Sequence, residues 1–85
     1  MTSKERAELR AQANTLDTIL MVGKGGVSET LIAEAEKLLD ARELVKGRVL
    51  ESALMSAREV CDALCEQTGA EGIQVVGNKF VIYRR

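Results

Sequence analysis

Apolar and polar positions follow two different periods along this chain, and the switches between them divide it into seven elements. Residues 2–14 are rich in Ala, Leu, Arg, Glu and Gln and open with Thr2 and Glu5 at capping-box spacing, which predicts a helix. Its apolar positions, Ala7, Leu9, Ala11 and Ala13, are sparse, so it is expected to pack at an edge. The run TILMV at 18–22 is short, β-branched and closed by Gly23, as a buried strand would be. Ser28 then stands at an N-cap, followed by Leu31, Ile32, Ala35, Leu38 and Leu39 at helical spacing. In ELVKGRVLE, residues 43–51, the period drops to two: Val45, Gly47 and Val49 share one strand face, and Leu44, Lys46, Arg48 and Leu50 share the other.

A third helix runs from Ser52 or Ser56 to Thr68, with Ala57, Val60, Cys61 and Leu64 inward and Gly69 as its left-handed stop. The chain closes with two apolar runs around Gly77-Asn78, a dipeptide suited to a two-residue hairpin with glycine in the first central position. That register sets Val75 against Phe80 and Ile73 against Ile82 on the core face, with Gln74, Val81 and Tyr83 on the other. The order α-β-α-β-α-β-β, without repeat or linker, predicts an α/β fold in which helices pack on a four-stranded mixed sheet.

At 85 residues and 46% hydrophobic content, one domain over residues 1–85 with one modest core is what the chain can build. Its charged start and the lack of a long apolar stretch point to neither a signal peptide nor a membrane span. Cys61 and Cys65, four apart on a helix, suit a reducing cytoplasm; Cys61 is expected buried and Cys65 nearer the surface. The net charge of −1 hides a segregation. Residues 28–43 and 56–71, both helical, carry most of the acids, whereas Lys4, Arg6, Arg10, Lys24, Lys46, Arg48, Lys79, Arg84 and Arg85 lie outside them. With the two acidic helices on one side, the opposite side is basic, as a nucleic-acid binder requires.

The stretch MVGKGGVSETL, with Gly23, Lys24, Gly25 and Gly26 between a strand and a capped helix, is where a phosphate would meet backbone N–H groups. It is not a Walker A loop, because Lys24 precedes the last glycines, and Ser28 stands where the third glycine of a dinucleotide-binding fingerprint belongs. What remains is G-x-x-G, a pattern that clamps nucleic-acid backbone in KH domains, where it joins two helices; a plain turn needing positive φ is the alternative. With no histidine and no nucleophile beside a base, catalysis is unsupported, and two cysteines are too few for zinc. No cofactor and no small-molecule substrate are expected.

The segments VGKGG, ELVKGRVL, TGAE and QVVGNKFVIYRR together resemble the bacterial YhbY group of the CRM (chloroplast RNA splicing and ribosome maturation) RNA-binding domain, over nearly the whole chain. The resemblance implies a fold similar to the C-terminal domain of bacterial translation initiation factor three and RNA binding without catalysis. It also implies association with precursors of the large ribosomal subunit; the chain is expected to act in the cytoplasm as a monomer. It places the family's G-x-x-G loop on Gly23, Lys24, Gly25 and Gly26, with Lys46 and Arg48 beside it, Lys79 and Arg84 in the hairpin, and Lys4, Arg6 and Arg10 on the first helix. The chain departs from the family in having no histidine near Asn14, no Lys-Pro pair near Asp17 and Thr18, and a glycine at 47 where a β-branched residue is usual. An alternative role, docking a ribosomal protein or another assembly factor through the acidic helices, draws on the same charge segregation.

Overall fold

In the computed structural model, which describes residues 1–85, three of the four helix starts or stops expected from short polar signals form as expected. The helices are α1 (Ser3–Ala13), α2 (Glu29–Arg42) and α3 (Ala57–Thr68), and Ser28 opens α2 by accepting from the Leu31 N–H at 3.2 Å. Ser56, not Ser52, caps α3, in a reciprocal box with Glu59: the Ser56 N–H donates to Glu59 Oε1 at 2.9 Å and the Glu59 N–H to Ser56 Oγ at 3.1 Å. Gly69, at φ 77°, ends the helix. At α1 only half of the expected box forms, because Glu5 accepts from the Thr2 hydroxyl rather than from its backbone N–H.

The strands are β1 (Leu20–Val22), β2 (Leu44–Val49), β3 (Glu71–Val76) and β4 (Lys79–Tyr83), in the sheet order β1-β2-β4-β3. β1 runs parallel to β2, and the other pairs are antiparallel, so the sheet is mixed as expected. β1 is shorter than TILMV and is not buried throughout: it is an edge strand that alternates, with Leu20 and Val22 inward and Met21 46% exposed.

α2 and α3 cover one sheet face and close the main core of Leu20, Val22, Leu39, Val45, Val60, Leu64, Phe80 and Ile82. α1 does not sit at an edge but lies across the other face, where Ala13 packs with Leu44, Ile73 and Val81. That second cluster exists because of a bulge. Val75 opposes Phe80 as expected, but the register shifts between Gly72 and Gln74, so Gly72 rather than Ile73 opposes Ile82. Gly72 lies close under α3, where a Cβ would stand 3.2 Å from Cys61 Sγ, and the extra residue turns Ile73 over to the α1 face.

Candidate nucleic-acid interface

Strand directions bring three turns to one end of the sheet: the Gly23–Gly26 loop after β1, the segment after β2 that includes a 3-10 turn at Glu51–Ala53, and the Gly77-Asn78 hairpin turn. Gly25 (φ 102°) and Gly26 (φ 60°) adopt conformations that side chains rarely take, and a Cβ on Gly26 would also meet Met55 Sδ at 3.0 Å. Space around Gly25 is open, so a ligand can approach its backbone closely. Within the loop the Gly26 N–H bonds to the Gly23 carbonyl at 3.0 Å and that of Ser28 to the Gly26 carbonyl at 3.1 Å, whereas the amides of Lys24, Gly25, Glu29 and Thr30 have no backbone partner. Free amides at a helix start, with the helix dipole behind them, favour an anion. The turn demand and the anion-binding capacity thus coexist in the same residues.

Cations flank this loop on the face away from α2 and α3. Register places Met21, Arg48, Lys79 and Val76 in one row across all four strands, at about 4.8 Å per strand. Arg48 is half-buried, and its Nε is buried without a hydrogen-bond partner. A buried guanidinium N–H left unpaired is costly, and because that Nε is closed off, only the exposed part of the side chain is open to an incoming acceptor. Lys46 stands in the next row; its Nζ donates to the Ala13 carbonyl at 3.2 Å, which holds the end of α1 and leaves two further N–H donors. Acids at this end are Glu29 in the first turn of α2 and Glu51.

The remaining expected residues are not gathered here. Arg84 lies at the opposite end of β4, where its guanidinium donates to Asp40 Oδ1 at 2.8 Å, Glu36 Oε2 at 3.0 Å and the Thr68 carbonyl at 2.7 Å. The Glu36 carboxylate, with Asp40, holds its proton more firmly than an ordinary arginine's. Arg6 bonds to the Gly72 carbonyl and pairs with Glu71 at 3.7 Å, tying α1 to β3, while Lys4 and Arg10 are exposed on α1. Two polar residues that sequence reasoning did not single out, Asn14 and Gln74, border the basic row beside Lys46 and Lys79. For Gln74 the strand alternation carried a signal, since it set that residue on the face opposite the core. The Cys65 thiol is pushed up by its hydrogen bond to Cys61, by burial and by the charges of Asp62 and Glu71, so it stays protonated and inert near neutral pH. No three His, Cys, Asp or Glu side chains converge as a metal site would require, and no helix is long and apolar enough to cross a membrane.

Residues 1–84 match the model of the CRS1 / YhbY (CRM) domain family. The chain belongs to that family. It is similar to the "Probable RNA-binding protein YqeI" of Bacillus subtilis, at 36% identity over 99% of this chain and 88% of the relative. A Haemophilus influenzae protein named "RNA-binding protein" is 29% identical over 99% of this chain and 85% of its own length. Among solved structures, the solution structure of a hypothetical protein from Staphylococcus aureus superposes with a TM-score of 0.79 at 35% identity, covering 100% of this chain and 88% of that one. The three-helix, four-strand mixed-sheet architecture of this CRM domain is therefore shared with a solved relative.

Proposed function

We propose that this CRM domain is a non-catalytic RNA-binding protein that associates in the cytoplasm with precursors of the large ribosomal subunit and assists their assembly. RNA phosphates would approach the free amides at Lys24, Gly25 and the start of α2, with Lys24, Arg48, Lys79 and Lys46 neutralising them. The observation that carries this reading is the open glycine loop, whose amides at Lys24, Gly25 and the start of α2 have no backbone partner, at the same end of the sheet as Arg48 and Lys79. Relatives named RNA-binding proteins supply the polymer. Arg84 serves the reading less well, because three acceptors already occupy it. Docking a protein through the acidic helices has less charge to draw on, since that same arginine holds Glu36 and Asp40.

Titrating a ribosomal RNA fragment with the wild type and Lys24→Glu at several salt concentrations tests the loop. The variant should bind several-fold more weakly, with the slope of log affinity against log salt reduced by about 1. Unchanged affinity at every salt concentration would remove the loop from the interface. Crosslinking in cells followed by sequencing of the bound RNA tests the assembly role, which fails if ribosomal RNA is not among the recovered fragments.

A further inference from the structure

α1 covers only part of its sheet face. Beyond its last turn, a pocket of about 170 Å³ opens between the end of the helix and the strands, lined by Asn14, Lys46, Gln74, Val76, Lys79 and Val81. Drug-sized ligands occupy pockets from about 300 Å³ upward, so this one has room for a single planar ring system. Its lining divides by chemistry. Val76 is 60% exposed and gives an aliphatic surface for a ring face, with the buried Val81 beneath the pocket's floor. Asn14 and Gln74 offer amides that can donate and accept side by side, the geometry that reads a base edge, while Lys46 and Lys79 supply donors for carbonyl oxygens and ring nitrogens.

The surroundings select the polymer form. Lys79 belongs both to the pocket and to the row that runs through Arg48 toward the glycine loop, so a strand whose phosphates follow the row passes the pocket's mouth. Within a duplex, base edges are paired and stacked and cannot enter a pocket of this size, whereas an unpaired nucleotide can turn its base inward. Stacking on an aromatic platform is not available, because Phe80 is fully buried and Tyr83 packs under α1.

We propose that the pocket between the end of α1 and strands β2, β4 and β3 is a nucleobase subsite that takes an unpaired base of a bound RNA strand, with Gln74 and Asn14 on its edge. This inference rests on the RNA-binding reading above and adds to it a preference for single-stranded over paired RNA. Both amide residues are uncharged, so removing them leaves the phosphate contacts intact.

The test compares a single-stranded oligonucleotide with the blunt duplex containing the same strand, against wild type, Gln74→Ala, the Gln74→Ala/Asn14→Ala double variant and Lys24→Glu. Wild type should favour the single strand. The double variant should lose about tenfold in affinity for it, with Gln74→Ala in between, while duplex affinity and salt slope stay unchanged. Gln74→Ala alone keeps the result readable if loss of Asn14 loosens the end of α1, which thermal melts would report. Equal affinity of wild type for the two RNA forms, or no effect of Gln74→Ala on the single strand, overturns the subsite. If neither RNA form binds wild type, it is the RNA-binding reading that fails; if only Lys24→Glu weakens binding, that reading stands and the subsite falls.

Discussion

A single missing side chain at Gly47 decides how the centre of the sheet packs. Gly47 opposes Phe80 across β2 and β4, and a Cβ there would lie 2.2 Å from the ring's Cζ, inside any permissible contact. The ring occupies the space that any side chain at position 47 would need, so this packing admits only glycine there. Gly47→Val is therefore expected to destabilise the fold by about 1–3 kcal/mol through overpacking, even though valine favours strands. Chemical denaturation measures it, and Phe80→Leu in the same chain should recover part of the loss; additive effects of the two changes would show that they do not share the space. Glu43 works differently at this scale. It ends α2 at φ 62° with no glycine to ease the turn, and its carbonyl accepts the Arg84 N–H at 3.0 Å.

Among the elements, α3 carries the most complete local instructions. Ser56 and Glu59 close its start reciprocally, Gly69 closes its end, and Ala57, Val60, Cys61 and Leu64 form its buried stripe. Hydrogen bonds from the backbone and side chain of Ser56 hold the Glu59 carboxyl below its ordinary 4.5. A depressed folded value means that the cap's stabilisation is present above about 4.5 and is lost as pH falls through the lowered folded value. Glu59→Gln should accordingly melt below the wild type at neutral pH, and the two melting curves should converge in acid. A gap that persists unchanged at low pH would separate Glu59's contribution from its charge. β3 shows the opposite case, an element whose inner and outer faces exchange partway along because its register shifts between Gly72 and Gln74.

Across the whole molecule, charge and cover are distributed by face and by end. α2 and α3 put their acids on one face and the basic row lies on the other, with the glycine loop at the row's end of the sheet, while Arg84 binds α2, α3 and β4 together at the far end. Arg84→Ala is expected to lower the melting temperature while leaving RNA affinity unchanged at temperatures where the variant is folded, as thermal melts paired with binding titrations would show. A loss of affinity in the folded variant would return Arg84 to the interface. By itself, the sequence determined what depends on near neighbours: element order, the cap at Ser28, the stop at Gly69, the hairpin turn and the glycine loop, because capping and turn geometry are satisfied within a few residues, while for α3 it left the cap between Ser52 and Ser56. It also determined the alternation that put Lys46 and Arg48 on one face. Only the tertiary structure decided that α1 lies over the sheet, that Ile73 turns away from Ile82, that Arg84 is spent on ion pairs and that Asn14 lines one pocket with Gln74 and Lys79. Each of those depends on the space and partners that distant segments leave to one another, and no local pattern encodes that.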